Sequence, residues 1–385
     1  MSENTGTGIK AYDYAKFPRE FISYRWFKPL LVLLLATIFY FVMTTILYLI
    51  AGAWAGDVNF FDGIGESYDD TTVYTGPGAL LEVGSLALLL PALALAALIV
   101  RDRPFSSYSS SRGGWNWKTF FKCMLVAVLV MALDFGFWYV VDPQVFTNGP
   151  VLFTTPGLIL CILLVPLQSI AEEYAFRGFI VQTFGGWTKL PILAIIISAV
   201  IFAAGHPYNM IGVIAIFCNG IIWGFIAWKS KGLEATSALH VVNNMLVFLM
   251  AGAGLMASTS DVEITSLVDS IAIDIAFAAI VLIWGKKRGW FEPTKDGAAE
   301  FNAKRRAVYE RKLAAKQGSQ PVAPEQAVAG QAVAGQAVAG QAVAGQPVAP
   351  EQAVANQVVA PEQPVAPRQA STPGRSTSRG KHARP

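Results

Sequence analysis

Ser169-Ile-Ala-Glu-Glu-Tyr-Ala-Phe-Arg-Gly178 places two adjacent carboxylates and an arginine at one end of an apolar run that begins near Pro156. Charges inside an apolar segment are costly and mark a site with nameable partners. On a helix Glu172 and Glu173 point about 100° apart. Glu173 and Arg177 are spaced i,i+4 with the acid first, the favourable order for an ion pair. Glu172 is then left on a different face without a local counter-charge. A carboxyl group so placed suits general-base work. Its partners must come from elsewhere in the chain.

The surroundings are a membrane protein. Of 385 residues, 54% are hydrophobic and only 14% charged, against about 25% charged in soluble domains. Apolar runs of about 18 residues or more recur along the chain, the pattern of a polytopic all-α transmembrane bundle. Such a composition excludes a soluble enzyme, and no feature points to a specific nucleic-acid partner. Cys123, Cys161 and Cys218 all fall inside apolar runs and read as small buried residues. The first apolar stretch, Leu30 to Ile50, is too long for a cleaved signal and reads as a retained anchor.

Hydropathy predicts about eight spans. They lie near 29–51, 78–100, 119–141, from Pro156 to a turn at Gly185-Gly-Trp-Thr188, 190–206, 209–228, 234–256 and 266–285. Lys and Arg gather in alternate loops: Arg101, Arg103, Arg112 and Lys118 in one, Lys229 and Lys231 in another, Lys286, Lys287 and Arg288 in a third. The loop 52–76 instead carries Asp57, Asp62, Glu66, Asp69 and Asp70. This positive-inside alternation puts both termini in the cytoplasm of a multi-pass cell-membrane protein. The organisation expected is a cytoplasmic segment 1–28, three spans over 29–150, a core of five spans over 151–290, and a cytoplasmic region 291–385. Within the last, residues 300–316 read as a short charged surface helix. Four copies of Gln-Ala-Val-Ala-Gly from Gln326 to Gly345 read as disordered tail.

Three segments supply partners at matched depth. Glu172 lies about 24 Å of helix from Pro156, buried but nearer the cytoplasm in a core of about 30 Å. A hairpin turning at about residue 187 returns His206 to within one turn of Glu172. His240 and Asn244 are spaced i,i+4, roughly 13 Å above the turn near Lys231. Asn219, Asn243, Asp134 and Asp274 read as packing polar groups, and Glu82 as an interfacial one.

Glu172-Glu173-x-x-x-Arg177, Phe202-x-x-x-His206 and His240-x-x-x-Asn244 together resemble the three motifs of the CAAX protease and bacteriocin-processing (CPBP, or Abi) family of intramembrane proteases. Asn219-Gly220-x-x-x-Gly224 and the approach to His240 also resemble it, so the likeness covers about 155–250. The resemblance implies an endopeptidase for a membrane-associated, possibly prenylated, peptide or protein in contact with the lipid bilayer. It implies that Glu172 and His206 activate water, that His240 and Asn244 stabilise the oxyanion, and that Glu173 and Arg177 support the framework. It implies no required cofactor, with zinc or another divalent metal as the alternative, since one Glu and two His are also a zinc-type donor set. Other readings of the same residues are a non-catalytic bacteriocin-immunity or scaffold protein of this fold, and a proton-coupled transporter using the buried carboxylates.

Overall fold

The structure, a computed structural model, describes residues 9–56, 72–256 and 261–318. The described residues all lie in the first of two units of the chain, Met1–Ser319. The repeat tail and most of the acidic loop lie outside the described residues. The first unit is all-helical, as hydropathy requires of backbone that must satisfy its own polar groups in lipid.

Each expected apolar segment is a helix. These are α1 (Lys28–Ala55), α2 (Gly76–Ala87) and α3 (Leu89–Val100), α4 (Trp117–Val141), α5 (Thr155–Glu173), α6 (Val181–Thr188), α7 (Pro191–Ala204), α8 (Met210–Ser230), α9 (Glu234–Gly252) and α10 (Ile264–Lys287). The charged helix follows as α11 (Gly297–Gly318). Among the described residues seven stretches are long and apolar enough to span a membrane, not eight; α7, with 14 residues, falls short. Its 14 residues rise only about 21 Å. The second span is interrupted at Leu88, because Pro91 has no N–H for the carbonyl one turn back.

The fourth span is the longest, Thr155–Thr188, and is not uniform. Tyr174–Ile180 is π-helical, between α5 and α6. Such widened turns recur at functional sites. The hairpin turns at Lys189, whose φ of 62° is left-handed, two residues beyond the expected bend centre. A hairpin centred there sets residue 206 level with residue 172 rather than 168.

Close approaches bring the elements together. Gly220 and Gly224 on α8 face Ala199 and Ile195 of α7, where an added Cβ would lie 2.9 and 2.7 Å from them. Small residues four apart let two apolar helices touch without a hydrophobic drive between them. Behind the site, Phe120, Cys123 and Ala127 of α4 pack with Trp223 and Ile226 of α8, Ala238 and Leu239 of α9, and Phe277 and Val281 of α10. Of the spans, α1 is the least enclosed by the rest of the bundle, 6% of its apolar stretch being buried, and α9 the most enclosed, at 50%.

The polar ends form a cap that hydropathy does not reveal. Tyr14 donates to the Tyr108 carbonyl at 2.8 Å, and Tyr12 donates to the Asp296 carboxylate at 2.8 Å. Burial and that carboxylate push the Tyr12 phenol above its ordinary value. Arg103 donates to Gln182 at 2.8 Å, and Gln182 donates to the carbonyls of Ser107 and Tyr108. Arg112 forms a buried ion pair with Glu234, the first residue of α9. Asn116 N–H donates to the other oxygen of Glu234 at 2.9 Å. The N-terminal segment lies so close to α6 that a Cβ on Gly185 would overlap the Ala15 carbonyl. Gly185→Ala is expected to lower stability by about 1–3 kcal/mol through overpacking. Thermal unfolding of the purified chain reads this as a drop in Tm.

Candidate active site

Four buried side chains converge where α5 meets α9. Glu172 and His240 are 6% and 3% exposed, Glu173 and Arg177 0% and 1%. Arg177 Nη1 donates to Glu173 Oε1 at 2.9 Å. The same oxygen lies 3.0 Å from His240 Nδ1. On its other side His240 Nε2 lies 3.3 Å from Glu172 Oε2. Thus one imidazole bridges both glutamates, although they leave the helix in different directions. The ring makes this possible because its two nitrogens sit on opposite edges. A carboxylate only accepts, so Nδ1 donates to Glu173, while Nε2 faces Glu172 Oε2.

To the division read from helical geometry, in which Glu173 served Arg177 and Glu172 served His206, the structure adds a histidine common to both glutamates. Glu173 does pair with Arg177, yet it also holds His240. Glu172 contacts His240, and among the described residues it has no direct hydrogen bond to His206. The His206 Nδ1 donates to the Phe202 carbonyl at 2.8 Å, because a carbonyl cannot donate. In the neutral ring the proton then sits on Nδ1 and the lone pair on Nε2. His206 is half-buried, within electrostatic reach of Glu172, His240 and Arg177.

Aromatic rings wall the cluster. The Arg177 guanidinium lies 4.3 Å from the centroid of Phe202 and 5.2 Å from that of Trp223. The His206 ring centroid is 4.7 Å from Phe202, and the His240 centroid 4.7 Å from Trp223. Two further members escaped the sequence reading. Gln168, one turn before Glu172 on α5, accepts from Asn244 Nδ2 at 3.3 Å. Its i,i+4 spacing from Glu172 was the available signal. Trp223 lies i,i+4 from Asn219, but nothing in the sequence says which ring faces a histidine. Asn244 is half-buried and also accepts from Asn243 at 3.1 Å.

The donor set does not gather as a metal site would. Among the described residues no group of three or more His, Cys, Asp or Glu side chains is arranged to hold a metal ion. Both nitrogens of His240 already face carboxylates.

Residues 153–246 match the family described as type II CAAX prenyl endopeptidase Rce1-like. The chain is also similar to an uncharacterized protein, YyaK, of Bacillus subtilis (strain 168): 26% identical over 222 residues, covering 51% of this chain and 72% of that protein. No solved structure matches. The matched segment runs from the start of α5 to the middle of α9 and so contains every residue of the cluster. Through residues 153–246 this multi-pass membrane protein is similar to the type II CAAX prenyl endopeptidase Rce1-like family.

Proposed function

We propose that the chain is an intramembrane endopeptidase that hydrolyses a peptide bond in a membrane-associated substrate of the prenylated CAAX type. The observation that carries the reading is the buried cluster of Glu172, Glu173, Arg177 and His240, with a half-buried histidine offering a free lone pair beside it. A bundle needing only interhelical ties has no use for two adjacent carboxylates, a guanidinium and an imidazole at one point, since each costs desolvation.

In the proposed reaction, water sits between the second oxygen of Glu172 and His206 Nε2. Its oxygen bonds to the substrate carbonyl carbon, and Glu172 takes its proton. Asn244 and His240, whose Nε2 turns from Glu172 to the substrate in this step, stabilise the charge that develops on the carbonyl oxygen. Collapse breaks the C–N bond, and the proton returns from Glu172 to the leaving amine. Glu173 and Arg177 fix His240 from behind. These residues suffice for the chemistry without a metal-bound water, so activity is expected to survive metal chelation. The basic ends of the spans, with Arg101, Arg112, Lys189, Lys231 and Lys286 on them, support a site entered from the cytoplasm with both termini on that side.

The test uses the full chain in lipid nanodiscs with membrane-tethered peptides, prenylated and not, and reads new termini by mass spectrometry. Cleavage restricted to tethered peptides supports the proposal. Absence of cleavage, with the same cellular phenotype from wild type and Glu172→Ala, overturns it in favour of a non-catalytic protein. Asn244→Ala is expected to lower kcat by about 100-fold with little change in KM, the cost of one oxyanion donor. Steady-state kinetics on the cleaved peptide checks it.

A further inference from the structure

Asp274 lies on α10, outside the family-matched segment, and is 4% exposed. It shares one stripe with Phe277 and Val281, the face that α10 turns to the bundle. The rest of α10 is largely lipid-facing, 17% of its apolar stretch being buried. A buried carboxyl group in such a helix is costly, and its partners say what it serves. Trp223 Nε1 donates to Asp274 Oδ2 at 2.7 Å. Asn219, with its amide oriented to donate, reaches the same oxygen at 3.3 Å and the Ala215 carbonyl at 3.1 Å. No Lys, Arg or His lies among the buried residues of α10, so the carboxyl group is held by hydrogen bonds from α8.

The indole it holds is the ring that covers the cationic side of the cluster. Trp223 lies against His240 at 4.7 Å between centroids, tilted by 51°, and 5.2 Å from the Arg177 guanidinium. Its electron-rich face favours positive charge on both. A hydrogen bond from Nε1 fixes the ring plane, which packing by a smooth ring would leave free to tilt. Replacing the pair by a leucine and a phenylalanine of similar volume would spare the desolvation of both polar groups. A carboxyl–indole pair is thus a poor device for packing alone and a good one for orientation.

We infer that Asp274 is a positioning residue of the site: by holding Trp223 Nε1 it sets the indole against His240, which makes α10 part of the catalytic arrangement. The inference rests on the peptidase reading for its effect on rate, but not for its effect on the imidazole. His240 is faced by Glu172 and Glu173 from α5, Arg177 from the π-helical stretch, His206 beyond α7 and Trp223 from α8. Of these, Trp223 is the one hydrogen-bonded to Asp274, and Arg177 and Glu173 lie within electrostatic reach of it.

The experiment compares Asp274→Leu, Asp274→Asn and Trp223→Phe in the full chain in nanodiscs. Two readouts are taken: the imidazole nitrogen signals of His240, assigned by their loss in His240→Gln, and kcat and KM on a cleaved tethered peptide. Asp274→Leu and Trp223→Phe are expected to shift the His240 signals and lower kcat about tenfold, as loss of an outer partner of a functional histidine does. KM should not move, because neither side chain meets substrate. Asp274→Asn keeps an acceptor oxygen and is expected to rescue both readouts. Unmoved His240 signals in Asp274→Leu overturn the inference, as does an Asp274→Asn that is no better than Asp274→Leu. If Asp274→Leu does not fold, Trp223→Phe against Asp274→Asn decides in the same way. Shifted and rescued signals in a chain that cleaves no peptide uphold the positioning role and overturn the peptidase reading.

Discussion

Glu172→Gln is expected to lower kcat on a tethered peptide by about 1,000- to 10,000-fold while leaving the protein folded. Glutamine has the shape of the glutamate it replaces, and its amide still meets His240 Nε2, which lies 3.3 Å from Glu172 Oε2. What it lacks is a basic oxygen. General-base catalysis contributes about 100- to 10,000-fold, and the upper part of that range applies because Glu172 both takes the proton from water and returns it to the leaving amine. His206 is a weaker substitute in position as well as in kind, since its Nδ1 is committed to the Phe202 carbonyl. Single-turnover cleavage followed by mass spectrometry checks the loss, and an unchanged Tm shows that it is not unfolding. Wild-type rates in Glu172→Gln would remove Glu172 from the chemistry. Cleavage would then have to be rebuilt around His206.

The second large effect falls on stability. Arg177→Leu leaves Glu173 with only His240 to balance it, at a position with no exposure to solvent. Breaking a buried ion pair from one side costs about 3–5 kcal/mol, because the surviving charge stays desolvated. Arg177 has further neighbours to lose, since its guanidinium lies 4.3 Å from the centroid of Phe202 and 5.2 Å from that of Trp223. Arg177→Lys is therefore expected to recover little, an ammonium being neither planar nor forked. The double substitution Glu173→Gln with Arg177→Leu should be less destabilised than the sum of the two single ones, because no unpaired charge remains. Denaturant unfolding in detergent, arranged as a double-mutant cycle, measures that coupling. Additive losses would mean that the two side chains act independently, against the 2.9 Å contact between them.

These two residues also show where local reading stops. The Glu173–Arg177 pair was legible because i,i+4 neighbours on one helix meet wherever that helix goes. The bridge from His240 to both glutamates was not, because it spans 67 residues between His240 and Glu173 and depends on how α9 is rotated against α5. Sequence geometry treated Glu172 and Glu173 as serving different partners. An imidazole with a nitrogen on each edge joins what the helix separates. Matched depth was legible from counting 1.5 Å per residue, and moving the bend from about residue 187 to Lys189 refined it without a new principle. Asp274 shows the opposite case. By itself it was one more polar residue in an apolar helix, and its meaning lies in Trp223, 51 residues away.

The amino-acid sequence by itself determined the all-helical class, the positions of the apolar helices and the ends on which basic residues gather. Hydropathy and charge act residue by residue, and in a bilayer each helix must satisfy its own backbone. Only the tertiary structure decided that α7 is too short for the spanning length of its neighbours and that the fourth span widens into a π-helical turn beside Glu173. It alone set His240 between two carboxylates and tied the N-terminal segment to Tyr108 and Asp296. Those features arise from which faces meet. Lipid-like helices are nearly indifferent to rotation by hydrophobicity, so close-packing glycines and a few buried polar contacts choose the rotation.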